Sequence, residues 1–104
     1  MKLLTKKIEN QLKKFPLYSQ DGKGNDAKVI CKFFYGSWTW YVLEGERRED
    51  GDYEFYGIVV NEYGAERGYF TLSQLESVRK WGHPVVERDM YFDACKVGEL
   101  EIEW

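Results

Sequence analysis

The stretch Ala27-Lys28-Val29-Ile30-Cys31-Lys32-Phe33-Phe34-Tyr35-Gly36-Ser37-Trp38-Thr39-Trp40-Tyr41-Val42-Leu43 decides the fold. Side chains alternate with a period of two on both sides of Gly36-Ser37, and β-branched and aromatic residues dominate. Gly tolerates the positive φ that tight hairpin turns require, so the pair Gly36-Ser37 predicts a hairpin. The spacing predicts a strand over 27–35 with Val29, Cys31, Phe33 and Tyr35 on one face. It predicts a second strand over 38–43 with Trp38, Trp40 and Val42 on one face and Thr39, Tyr41 and Leu43 on the other.

Outward from this hairpin, the pattern predicts a charged loop over Glu44–Asp52, a third strand over Tyr53–Val60, a turn region over Asn61–Gly68 and a short fourth strand over Tyr69–Leu72. Ser73-x-x-Glu76 reads as a capping box opening a second helix that Trp81-Gly82 ends and Pro84 forbids to continue. Val85–Phe92 reads as a fifth strand. Leu100, Ile102 and Trp104 alternate with glutamates, which suits an edge strand. On the N-terminal side, Thr5 is placed to cap a helix over about 5–15, with Ile8, Leu12 and Phe15 on its apolar face and Pro16 stopping it. Lys6, Lys7, Lys13 and Lys14 fall on the opposite face. The helix is too short to stand alone, so its stripe docks on the sheet. The expected fold is α+β: a mainly antiparallel five-strand sheet in the order α-β-β-β-β-α-β with two short helices, forming a single domain over 1–104.

Four segments of this reading resemble an uncharacterised bacterial family, domain-of-unknown-function family 2958. They are Leu3-Leu4-Thr5; Lys32-Phe33-Phe34 running on to Trp38-Thr39-Trp40-Tyr41; Gly68-Tyr69-Phe70-Thr71-Leu72-Ser73-Gln74-Leu75-Glu76; and Glu87-Arg88-Asp89 with Tyr91-Phe92. They span nearly the whole chain. The resemblance implies a bacterial protein in the setting of plasmids and conjugative elements. It implies no activity and carries no site residues.

Composition narrows the classes of function. Net charge is −3, but residues 1–32 sum to +5 and the remainder to −8. Such asymmetry marks either an interaction surface or simply which faces are solvated. Two separated cysteines, Cys31 and Cys95, form no metal or redox pair and read as reduced thiols. No apolar run approaches the roughly 20 residues that span a bilayer, and the N-terminus lacks the apolar run of a signal peptide. The expectation is a cytoplasmic chain with no membrane contact.

Chemistry-bearing patterns are sparse. Gly22 and Gly24 lack the remaining residues of a phosphate loop. The one histidine, His83, stands in a turn without a neighbouring nucleophile. Asp50 with Asp52, and Asp21 with Asp26, lack the ligand order of a calcium loop and read as polar turn residues. No catalytic residue, metal site or cofactor is expected. One polar cluster stands out: Glu87 and Asp89 share a strand face, Arg88 takes the other, and Glu76 and Arg79 lie one turn apart on the preceding helix. Paired carboxylates there would do acid–base work, or the group would be an ion-pair network locking helix to sheet.

The aromatics carry the functional expectation, because two short helices cover one sheet face and not two. Either the sheet curls on itself, or rings such as Trp38, Trp40, Tyr41 and Tyr56 stay exposed for a partner. The leading expectation is a non-enzymatic protein-interaction module, with a protein partner or a homodimer. The alternative is a nucleic-acid-binding accessory protein using Lys6, Lys7, Lys13 and Lys14 for the backbone and sheet aromatics for the bases.

Overall fold

The computed structural model describes all residues from Met1 to Trp104. Helix α1 spans Lys6–Leu12, followed by strands β1 (Lys28–Val29), β2 (Cys31–Tyr35), β3 (Trp38–Arg47), β4 (Tyr53–Asn61) and β5 (Gly64–Thr71). Helix α2 (Leu72–Ser77) precedes four two-residue strands, β6 (Arg79–Lys80), β7 (His83–Pro84), β8 (Glu87–Arg88) and β9 (Cys95–Lys96). The main sheet is antiparallel with the order β5-β4-β3-β2-β8. The expected α+β class and the α-β-β-β-β-α-β order of its principal elements are therefore present.

Several boundaries differ from expectation, each for a local reason. Helix α1 begins as expected, with the Thr5 hydroxyl accepting from the Ile8 amide, but ends at Leu12, and Lys13–Phe15 turn away. The strand expected over 27–35 breaks at Ile30: β1 leaves the sheet to pair with β9, so Val29 packs on the opposite face from Cys31 and Phe33. The supposed loop over 44–52 is half strand, since β3 runs to Arg47. The turn after β4 is only Glu62-Tyr63, and β5 fills the rest of the supposed turn region. The capping box belongs to Thr71 and Gln74, which exchange bonds of 3.2 and 2.9 Å. The Ser73 amide and hydroxyl instead donate to Asp52. Helix α2 stops at Ser77, and Trp81-Gly82 is the turn of the β6–β7 hairpin. Only Glu87–Arg88 of the expected fifth strand pair, with Phe34 and Phe33 of β2. The tail forms no strand beyond β9, although Leu100 and Ile102 keep their alternation by packing onto the core.

Both faces of the sheet are covered. Ile8 and Leu12 of α1 and Leu75 of α2 pack with Phe33, Val42 and Phe55 on one face. On the other, Leu43 and Ile58 meet Ala27, Val29 and Val97, with Phe92, Leu100 and Ile102 around them. The sheet neither curls into a barrel nor leaves a face bare; the C-terminal segment is its second layer.

A bulge in β3 makes this possible. Val42 faces Gly57 and Glu44 faces Tyr56, so Leu43 is the extra residue and shares the second face with Glu44. Gly57 is required beside it, because a Cβ there would stand 1.8 Å from the Tyr41 carbonyl oxygen. Glu44 is buried, and its two carboxylate oxygens accept the Tyr18 and Gln20 amides at 2.8 Å each. The buried Gln20 side chain continues the chain of bonds, donating to the Lys28 and Leu43 carbonyls and accepting the Lys28 amide.

Replacing Glu44 with Ala strands two amides, and each unsatisfied group costs about 1–3 kcal/mol. Urea unfolding of Glu44→Ala should show a loss of about 3 kcal/mol; a loss under about 1 kcal/mol would mean that water replaces the carboxylate freely.

A second expectation concerns acid. The Ser73 hydroxyl, helped by the Tyr53 and Ser73 amides, holds the Asp52 carboxyl below its ordinary range. A hydrogen bond from Arg47 does the same for Glu9, and this 3.1 Å pair ties α1 to β3. Depressed carboxylates stabilise the fold above their unfolded values and lose that contribution as pH falls through the folded ones. The melting temperature should therefore fall below about pH 4, and Asp52→Asn should make that fall shallower. An identical acid profile in the variant would remove Asp52 from the account.

Candidate functional site

The four aromatics singled out from sequence do not form one surface. Trp38 and Trp40 stack at 5.7 Å on the helix-covered face, with Trp40 only 8 % exposed and Trp38 40 %. Tyr41 lies on the other face against Phe92, with the Lys32 ammonium 5.7 Å from its ring centre. Tyr56, on that same face, meets Tyr69 at 4.9 Å, and Tyr69 meets Tyr18. Only Trp38 of the four is strongly exposed.

Four exposed rings, Trp38, Tyr63, Tyr69 and Trp104, gather instead around β5, the outer strand of the sheet, whereas Trp81 and Tyr91 lie away from it. A groove of about 430 Å³ runs along Gly64–Tyr69 and is bounded by Trp38, Tyr63 and Trp104. Tyr63 tops the β4–β5 turn at 90 % exposure. Trp104 lies over the Arg67 guanidinium at 5.4 Å. Tyr63, Arg67, Tyr69 and Trp104 were not reached as site residues from the sequence, because Asn61–Gly68 read as a turn, Tyr69 as the start of a short strand and the tail as an edge strand. The alternation of Ala65, Arg67 and Tyr69 against Glu66 and Phe70 was the available signal.

The backbone of β5 is open on its outer side. The Thr71 amide donates to Gln74 rather than to β4. The β4–β5 register runs without a shift, so the period of two turns the amides of Ala65, Arg67 and Tyr69 the same way. No turn or loop backbone group bonds to them.

The polar cluster is dispersed. Arg79 donates to the Gly82 carbonyl at 3.1 Å, Arg88 reaches back to the Lys2 and Leu3 carbonyls, and Asp89 pairs with Lys32 at 3.8 Å. None of the four ion pairs in the molecule joins two of Glu76, Arg79, Glu87, Arg88 and Asp89. Glu76 and Arg79 border one small cleft and Glu87 to Asp89 another. The helix-to-sheet ion network is not formed.

Lys6 and Lys7 on α1 and Lys13 and Lys14 just beyond its end are all exposed. Lys7 borders a groove of about 480 Å³ between α1 and the 88–94 segment, where it faces Asp89 and Asp93 as well as Arg88. That groove is of mixed charge, and Cys31 lies in its floor. Burial pushes the Cys31 thiol up to about 12, and burial with the nearby Glu99 raises Cys95. Neither sulfur is a ready nucleophile at neutral pH. No three His, Cys, Asp or Glu side chains converge as a metal site would need. Asp52 is engaged by Ser73, and Asp50 by Arg48 at 3.4 Å. No helix is long and apolar enough to cross a membrane.

Fold and surface thus define a small α+β protein with a sheet sandwiched between helices and a C-terminal wrap, and with an open aromatic edge. Residues 3–97 match the family model described as "Protein of unknown function (DUF2958)", and the chain belongs to that family. No curated protein and no solved structure matches it.

The thiol environments give a direct check. With an aromatic disulfide reagent at pH 8, Cys95 should react slowly and Cys31 only after denaturation. Rapid release of two equivalents from the native protein would show that the groove floor opens.

Proposed function

We propose that this chain is a non-enzymatic protein-binding accessory module, acting in the cytoplasm in the mobile-element setting implied by the family resemblance. It takes an extended segment of its partner as an added strand on β5. The observation that carries the reading is the open β5 edge lying inside an aromatic groove. Strand addition draws affinity from main-chain hydrogen bonds and specificity from side-chain pockets on alternate positions. Outward amides at Ala65, Arg67 and Tyr69 supply the first, and Trp38, Tyr69 and Trp104 the second. Glu66 and Arg67 leave the edge near neutral, which favours a partner segment recognised by apolar side chains rather than by net charge. The alternative built on the N-terminal lysines and sheet aromatics has less support, because Trp40 is buried and Tyr41 is half-buried against Phe92, on opposite faces of the sheet.

The test is selection of linear peptides from a displayed random library against the full chain, followed by affinity measurement on Arg67→Pro and Arg67→Ala. Proline removes one outward amide on an edge strand without breaking the inner ladder. Arg67→Pro should weaken the selected peptides by about tenfold or more while Arg67→Ala changes them little, with melting temperatures held. Failure to enrich any peptide, or equal binding by the proline variant, would overturn the reading.

A further inference from the structure

The β6–β7 hairpin contributes to neither core and to no part of the β5 surface. All six residues from Arg79 to Pro84 are exposed, and Trp81 at the tip is the most exposed tryptophan of the chain, at 85 %. No other aromatic ring stacks on it. The hairpin closes with Lys80 opposite His83, and its two turn residues have φ of +58° at Trp81 and +81° at Gly82. Two successive left-handed residues are what a type I′ turn requires. Glycine takes that conformation freely, whereas a bulky side chain is strained in it, and Asn or Asp is the ordinary choice before the glycine. Neither turn geometry nor packing therefore explains a tryptophan at this place. Local preference broken without structural return is expected where a residue serves a function.

The charge beside the ring supplies the chemistry. Arg79 and Lys80 directly precede Trp81, and neither enters an ion pair. The Arg79 guanidinium is held 3.1 Å from the Gly82 carbonyl, which fixes a cation next to the tip.

We propose that this hairpin binds single-stranded nucleic acid, with Trp81 stacking on one base and Arg79 and Lys80 contacting the flanking phosphates. An unpaired strand offers free base faces to a projecting ring, and a stacked duplex does not. One ring matches one base. A lipid anchor would need a larger apolar tip than one flanked by Lys80, Gly82 and His83. The overall charge of −3 opposes an anionic strand, so binding through this local cationic pair is weak and strongly salt-dependent. The site shares no residue with the β5 groove, and either can fail without the other.

The experiment is a fluorescence-anisotropy titration of the full chain against labelled oligothymidylate and oligodeoxyadenylate of about 15 nucleotides, at low and moderate salt. The informative variant is Trp81→Asn, which installs the Asn-Gly pair that this turn prefers, so its melting temperature should hold or rise. Trp81→Asn should weaken binding about tenfold or more, and Trp81→Phe considerably less. Replacing both Arg79 and Lys80 with Ala should reduce the slope of log affinity against log salt by about 1.4, from two phosphates at about 0.7 each. Absence of saturable binding at low salt overturns the proposal, as does binding that Trp81→Asn leaves unchanged. Trp81-dependent binding to phosphatidylglycerol vesicles with none to the oligonucleotides would also overturn it, making the hairpin a lipid contact.

Discussion

The arrangement of this molecule depends on one buried carboxylate at one strand irregularity. The bulge at Leu43 places an apolar and an acidic side chain side by side on the same sheet face. Leu43 enters the second core, and Glu44 grips the amides of Tyr18 and Gln20. Together with the bond from the Gly45 amide to the Phe15 carbonyl, this lays residues 15–20 along β3. Gln20 then hands the path on to Lys28, where β1 starts. A buried acid is costly unless its oxygens are satisfied, and here the surrounding backbone satisfies them, with no buried side-chain polar atom left unpartnered. The long excursion from α1 to β1 is thus held by directional bonds where it lacks regular structure.

That path has a consequence for the second face. Once Gln20 has fixed Lys28, β1 lies across the sheet's far side and offers its edge to β9. The C-terminal segment is drawn under the sheet, and Val97, Leu100 and Ile102 close the second core. Helices too short to cover two faces no longer have to. The aromatic surplus of the sequence divides accordingly: rings in the strand centres, with Phe70 of the outer strand, become core, and Tyr63 on its turn, Tyr69 on the outer strand and Trp104 at the terminus remain exposed.

The strands of the main sheet were legible because their period of two and their turn residues are local signals. Gly36-Ser37 at the first hairpin and Thr5 at the first cap stand where the sequence pointed. What escaped was non-local. Glu44 has the polarity of a loop residue, and only its meeting with Tyr18 and Gln20 makes it part of a strand. Thr71 competes with Ser73 for the same capping role, and Ser73 is taken by Asp52, which stands just before the start of β4. The polar cluster Glu76, Arg79, Glu87, Arg88 and Asp89 looked like a unit because its members are close in sequence. Each basic member instead finds a backbone carbonyl, which is a partner that side-chain patterns do not reveal. The alternating tail was real as a pattern of burial, yet its partner is a core face rather than a neighbouring strand.

The two edges of the sheet are unlike, and the difference bears on use. At one edge β8 is two residues long, the Arg88 amide is met by the Met1 sulfur, and the Arg88 guanidinium binds the N-terminal carbonyls. That edge is short and covered, as monomeric sheets usually arrange. At the other, β5 runs eight residues with the outer amides of Ala65, Arg67 and Tyr69 free of turn and loop partners. Long open edges invite unwanted pairing, and chains ordinarily suppress them with lysines, proline or a covering loop. β5 has no lysine and no proline, and the C-terminal segment crosses the second face and places the Trp104 ring on Arg67. The fold thus closes its opposite edge and both its faces and leaves this one edge open, which is the asymmetry on which the proposed strand addition rests.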